Sequence, residues 1–150
     1  MEVFRITKAE YAGTLTASGV KNRWNKVGEF VIYAGSTRSL ATLESVVHKG
    51  GIIPSVPYKV VVISIVDDNK LVRQIQIKEL PDNWRKMDAY PMLQEIGSNW
   101  YTTQETLVLK MPSVVIPQEY NYAINTEHPD FKKNIKKVRA ENYFWDDRLF

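Results

Sequence analysis

The stretch Phe30-Val31-Ile32-Tyr33-Ala34-Gly35-Ser36-Thr37-Arg38-Ser39-Leu40-Ala41-Thr42-Leu43-Glu44 sets the terms of the fold. With Glu29 before it, the segment to Ala34 reads as a strand. Phe30 and Ile32 point to one face, Val31 and Tyr33 to the other. Ser36 and Thr37 then offer helix N-caps. The pattern predicts a helix over 38–49, stopped by Gly50-Gly51. Its apolar stripe is Leu40, Leu43 and Val47. Glu44 lies one turn after Leu40 and one turn before His48, at the border of the buried face. A carboxylate in that position needs a partner or lines a cavity.

Working outward, Val3-Phe4-Arg5-Ile6 is a short opening strand. Residues 7–28 lack sustained periodicity and contain Gly13, Gly19 and Gly28, which predicts a long loop with a short helix near Tyr11. Loops of that length in compact domains are functional or disordered. Trp24 argues for order, because a large aromatic side chain finds a packing partner. Tyr58 to Val66 is the strongest strand and Leu71 to Lys78 the next. The turn Asp67-Asp68-Asn69-Lys70 joins them as a hairpin. A loop follows at Leu80 to Trp84, then a helix over Met92 to Thr102 and a strand from Thr106 to Met111 stopped by Pro112. Val114 to Ile116 and Tyr120 to Ile124 read as extended, Pro129 to Ile135 as a short helix. Lys137 to Arg139 and Tyr143 to Trp145 read as closing strands. The class is mixed α+β.

A chain of 150 residues is one domain, 1–150, by size, with 44% hydrophobic and 11% aromatic residues fitting an ordinary globular protein. No stretch approaches the ~20 apolar residues of a membrane span. The N-terminus lacks the apolar core of a signal peptide, so a soluble, cytoplasmic protein is expected. Zero cysteines exclude a disulfide framework and thiolate chemistry. The net charge of +3 is modest, and lysines cluster only in Phe131-Lys132-Lys133-Asn134-Ile135-Lys136-Lys137. That run is either a phosphate-tracking surface or a solvated segment. His48 and His128 are far apart and lack ligand-like neighbours, so no metal site is expected.

Several segments, in order and across nearly the whole chain, resemble the RES domain family. They are Phe4-Arg5-Ile6, Arg23-Trp24-Asn25 with Gly28, Val31-Ile32-Tyr33-Ala34, and Leu40-Ala41-Thr42-Leu43-Glu44 with His48. Leu80-Pro81 with Trp84 and Gly97 with Trp100 continue the series. The most distinctive piece is Pro112-Ser113-Val114-Val115-Ile116-Pro117, followed by Glu119-Tyr120-Asn121-Tyr122-Ala123-Ile124-Asn125 and His128-Pro129-Asp130-Phe131. Phe144-Trp145-Asp146-Asp147-Arg148-Leu149 closes it. Two positions depart from the family pattern: Gly35 stands where a serine is frequent, with Ser36 directly after it, and Thr126 stands where proline is common.

The resemblance implies an architecture similar to ADP-ribosyltransferases, a split and mostly antiparallel sheet with NAD in its cleft. It implies a bacterial toxin with NAD as substrate and no metal, neutralised by a helical, Xre-like DNA-binding antitoxin. A homodimer within the toxin–antitoxin complex is also implied, with no direct contact to nucleic acid or membrane. The activities it implies are NAD hydrolysis, NAD phosphorolysis and transfer of ADP-ribose to a protein.

Expelling nicotinamide from NAD leaves oxocarbenium-like charge on the ribose, which a carboxylate stabilises. Glu44 is the candidate, against the plainer role of an ion pair at a helix edge. Arg23 offers a planar fork for the pyrophosphate, against a surface salt bridge. Tyr33 offers a ring for nicotinamide or a hydroxyl donor, against core packing at a strand end. Ser113 has no His/Asp pair spaced for a triad, so a hydrogen bond to ribose or the nicotinamide amide is expected. Trp24, Ser36 and His48 complete the expected NAD-binding set, with His48 placed to orient Glu44. Asn121 and Asn125 read as loop-fixing residues. Trp84, Trp100 and Trp145 read as core or dimer-interface aromatics. Three functions remain open at this point: an NAD glycohydrolase or phosphorylase toxin, a mono-ADP-ribosyltransferase acting on a host protein, and a non-catalytic basic binding module supported only by the lysine run and a pI near 9.0.

Overall fold

The computed structural model describes residues 1–150. Its strands are β1 (Glu2–Lys8), β2 (Val31–Gly35), β3 (Tyr58–Ile65), β4 (Val72–Gln74), β5 (Val108–Pro112), β6 (Tyr120–Asn125) and β7 (Ile135–Tyr143). The helices are α1 (Arg38–Lys49), α2 (Tyr90–Thr103) and α3 (Phe131–Asn134). The strands form one 7-stranded mixed sheet in the order β4-β5-β6-β2-β1-β3-β7. Every neighbouring pair is antiparallel except β4 with β5. No helix is long and apolar enough to cross a membrane.

The middle of the sheet is where it opens. β1 pairs with β3 from Glu2 to Lys8, and β2 pairs with β6 from Val31 to Gly35. β1 and β2 meet at the single register pair Phe4 and Gly35. Beyond that pair the two strands diverge, so the sheet is split into two halves joined at one point, as the resemblance implied.

Directly opposed residues in a ladder project to the same face. One face therefore carries Phe4, Gly35, Asn121, Met111 and Val62, together with Tyr33, Ala123, Leu109 and Val60. Both long helices cover this face. Ala41 of α1 packs with Phe4, Val60 and Val62. Leu93 and Trp100 of α2 pack with Leu109, Met111, Ala123, Trp24 and Trp84. These are two separate apolar clusters, with Asn121 in the sheet between them. The opposite face is a third cluster, including Val3, Ile32, Val61, Ile63, Val108 and Ile124. The segment after β1 seals it with Ala12, Leu15 and Ala17.

α1 starts where the sequence placed it, with Thr37 Oγ1 accepting from the Leu40 amide at 3.0 Å. It ends at Gly50, in the left-handed region at φ 60. Its buried stripe differs from expectation. Leu40 and Ala41 are buried, whereas Leu43 and Val47 are exposed. Gly35 is the reason. A β-carbon there would lie 2.9 Å from the Ala41 backbone nitrogen, so α1 is seated directly on the strand at Ala41. Contact at that residue rotates the helix and brings Glu44 toward the sheet.

Other expectations are also corrected. β3 and β4 are not a hairpin, because β1 and β7 already occupy both edges of β3. The chain leaves through a 3-10 turn at Asn69–Leu71 and crosses to pair β4 with β5. The 71–78 strand is only Val72–Gln74, followed by a 3-10 turn at Ile77–Glu79. Residues 114–116 are a turn, held by Ser113 and closed by the Glu119 amide on the Ile116 carbonyl at 2.9 Å. The two expected closing strands are one strand, β7, along β3. Phe30 lies outside β2 and is exposed.

Replacing Gly35 by alanine forces α1 off the strand and is expected to cost about 1–3 kcal/mol, the usual range for overpacking. Urea denaturation of Gly35→Ala beside the parent chain measures it, and an unchanged midpoint would show that α1 is not seated there.

Candidate active site

Glu44 projects from α1 toward the seam between the two apolar clusters. Its Oε1 accepts from the Ser113 hydroxyl and from Asn121 Nδ2, each at 2.6 Å. Ser113 is fully buried at the end of β5. Its Oγ accepts from the amides of Val115 at 3.1 Å and Ile116 at 3.0 Å. Both lone pairs are therefore engaged and its proton is directed at the carboxylate, so Ser113 is saturated. The prolines flanking this serine explain the local shape, since Pro112 ends β5 and the freed chain can turn back onto Oγ.

Both donors fall on Oε1. Oε2 has no protein donor. The only buried side-chain polar atom left without a partner is Trp145 Nε1, so Glu44 Oε2 is open to solvent. Half of the carboxylate is anchored and half is presented.

A second set of residues is carried by the loop before β2. Gly19 and Gly28, at φ 75 and 83, close it through the Gly28 amide on the Gly19 carbonyl at 2.8 Å. Asn25 fills its centre, with Nδ2 donating to the carbonyls of Val20 and Lys26 at 3.0 and 2.9 Å. The loop lies flat on α2. Gly97 allows this, because a β-carbon there would stand 1.7 Å from the Trp24 carbonyl oxygen. Gln94 Nε2 donates to the Asn22 carbonyl at 2.8 Å, Ser98 donates to buried Glu29, and Lys26 pairs with Glu95.

This docking fixes Arg23 and Tyr33. The Arg23 guanidinium stacks over the Tyr90 ring at 4.4 Å, and Nη1 donates to the Trp84 carbonyl at 3.2 Å. No carboxylate pairs with it. Most of its five donors are thus left for an anion. The Tyr33 hydroxyl donates to Asn25 Oδ1 at 2.6 Å. Burial pushes the Tyr33 phenol far above its ordinary value, offset in part by the Trp24 backbone and reinforced by the Glu29 carboxylate. Tyr33 lies two residues from the Phe4–Gly35 pair, on the helix-covered face where the sheet divides.

A half-presented carboxylate, an unpaired guanidinium and an aromatic ring beside a split sheet suit a ligand carrying hydroxyls and phosphates. The model of the RES domain matches residues 2–146. The chain belongs to the RES domain family. A protein of Sphingobium sp. strain YBL2 named "Prs ADP-ribosylating toxin" is 36% identical, over 92% of this chain and 88% of that one. "Toxin Res" of Yersinia enterocolitica is 33% identical over 99% of both chains. Among solved structures, a chain of the M. tuberculosis MbcT-MbcA toxin-antitoxin complex shares the fold, with TM-score 0.72 and 13% identity over 95% of this chain and 83% of that one.

In this RES domain the residues singled out from sequence fall into three places. Glu44 and Ser113 touch. Arg23, Trp24 and Tyr33 sit on or beneath the loop docked to α2, with Trp24 buried in the cluster rather than walling open space. Ser36 and His48 flank the core of α1. The Ser36 amide donates to the Tyr120 carbonyl at 3.1 Å, and His48 is exposed without a hydrogen bond to Glu44. Asn121, read from sequence as a loop-fixing residue, instead lies inside β6 with its amide on Glu44, and no role was expected of the Asn25 and Glu29 side chains. For Asn121 the available signal was a polar residue inside the strand Tyr120-Asn121-Tyr122-Ala123-Ile124. Two shallow hollows of about 310 and 320 Å³, near Met1 and Val72, share no residue with this site.

The Tyr33 phenol, raised in the folded state above the 10.0 of the unfolded chain, contributes stability that is fully present below pH 10 and is lost as pH rises further. Tyr33→Phe is expected to remove that component and to cost about 1–3 kcal/mol at neutral pH by stranding Asn25 Oδ1. Denaturation from pH 7 to pH 11 checks both; parallel curves for the two proteins would refute the first.

Proposed function

We propose that this RES domain is the toxin of a toxin–antitoxin pair and that it cleaves the nicotinamide–ribose bond of NAD. The observation that carries the reading is the Glu44 carboxylate, anchored through Oε1 and open at Oε2. The names of the relatives support the toxin class, and the antitoxin-bound structural neighbour supports a protein partner. In this reading the toxin acts in the cytoplasm, as a homodimer, and its partner is an Xre-like antitoxin.

The C1′–N bond breaks, and its electron pair moves to the nicotinamide nitrogen, cancelling the ring's positive charge. The ribose carries the resulting oxocarbenium-like charge, against which Glu44 sets its own. An acceptor oxygen then bonds to C1′ and releases its proton to solvent. Ser113 holds Glu44 and does not attack, because its lone pairs are engaged. Arg23 takes the pyrophosphate through its free N–H groups. Tyr33 offers its ring, since its hydroxyl is committed to Asn25. Trp24 supports the loop from below, and Ser36, with no side-chain partner, is free to meet the nucleotide. His48 stands outside these steps.

A second reading keeps the site and changes the acceptor to a protein side chain. The Sphingobium relative's name favours it.

Purified, antitoxin-free protein is expected to consume NAD. Products identified with and without inorganic phosphate separate hydrolysis from phosphorolysis. Glu44→Gln, folded by circular dichroism, is expected to lose roughly 100-fold or more in rate. Labelled NAD in lysate tests the second reading by a labelled band of another size. An inert folded protein in all three assays would sink both readings.

A further inference from the structure

Asn121 is the one group at this site whose side chain has no obvious structural task. It lies inside β6 with its backbone between Gly35 and Met111. Its neighbours on the helix-covered face, Met111, Ala123 and Leu109, are apolar. Asparagine is depleted in strands, and an apolar residue in its place would join the two clusters that the seam now separates. Its Nδ2 instead meets Glu44 Oε1 at 2.6 Å. The amide orientation is chemically forced, because an amide oxygen that close to a carboxylate oxygen would be repelled. Its Oδ1 has no protein donor and, like Glu44 Oε2, is open to solvent.

The geometry points to Asn121 as a positioning residue for the reaction, one that fixes which oxygen of Glu44 faces the substrate. Three features converge on it. Gly35, its partner across the ladder, has no side chain and admits α1 at Ala41, which lowers Glu44 onto β6. Ser113 and Asn121 approach the carboxylate from different strands, so two directions of rotation are blocked rather than one. Both bonds end on Oε1, which leaves Oε2 as the oxygen held ready for the ribose. A single donor would leave the carboxyl plane free to turn. Two donors from a rigid sheet set it before substrate arrives, and preorganised charge is what lowers the barrier. The inference rests on the reading of Glu44 as the group that faces the ribosyl charge.

A polar staple that merely held α1 would show itself as lost stability. A positioning residue shows itself as lost rate. The experiment compares Asn121→Leu and Asn121→Asp, both close in size to asparagine, in the parent chain and in the Glu44→Gln background. NAD turnover is followed by single-turnover kinetics with excess protein. Both variants are expected to lower the single-turnover rate constant at saturating protein roughly 10- to 100-fold, as for a misplaced catalytic group, with the half-saturating protein concentration little changed. Asn121→Asp, which sets carboxylate against carboxylate, is expected to be the slower. In the Glu44→Gln background the same changes are expected to alter the residual rate less than about two-fold, as for residues that act as one unit. Full turnover by either folded variant would overturn the inference, as would an equal loss in both backgrounds. If Asn121→Leu does not fold, Asn121→Asp carries the test. A parent chain that consumes no NAD overturns the underlying reading as well. An active, Glu44-dependent chain indifferent to residue 121 overturns only this inference.

Discussion

Where a β-carbon of Gly35 would sit, the backbone nitrogen of Ala41 is 2.9 Å away. That close approach ties together three features that look unrelated in the chain. Gly35 is the only point where β2 pairs with β1, so the two halves of the sheet are joined there. It is the floor on which α1 rests, so it sets the rotation of the helix and the height of Glu44. It also stands opposite Asn121, whose amide Glu44 meets. A side chain at this position would disturb the fork, the helix seat and the carboxylate together.

The second half of the site depends on an equally close contact. Gly97 lets the Trp24 backbone lie against α2, and buried Glu29 fastens the end of the same loop through Ser98 and the Lys26 amide. Buried carboxylates persist only when their oxygens are satisfied. Glu29 is fully engaged and structural, whereas Glu44 is engaged at one oxygen only. Each glutamate meets two donors, and what separates them is placement: one donor on each oxygen of Glu29, both on a single oxygen of Glu44.

Much of this was legible from residue order. The strand expected to Ala34, the helix over 38–49, the cap at Thr37 and the stop at Gly50 follow from local chemistry that needs no distant partner. Arg23, Glu44 and Ser113 stood out because the family pattern surrounds them. The hairpin expected after β3 failed because a turn at 67–70 says nothing about which edges are already taken, and β1 and β7 had taken both. The stripe through Leu43 and Val47 failed for a similar reason, since helical periodicity gives a moment but not the contact that orients it. His48 was set beside Glu44 by spacing along the helix, but the seat at Ala41 turns it to solvent.

The sequence by itself determined the elements with strong local signals, the class α+β and the family to which the chain belongs. Propensity, capping and period are properties of neighbours in the chain, so residue order suffices for them. The tertiary structure alone decided that Ser113 and Asn121 share one oxygen of Glu44, that the serine has no lone pair left to react with, and that Arg23 lies on Tyr90 without a carboxylate partner. The Glu44 contacts join groups nearly seventy or more positions apart, fixed by strand register and by two glycines whose missing side chains let backbones touch, whereas the lone pairs of Ser113 are taken locally, by the amides two and three residues on.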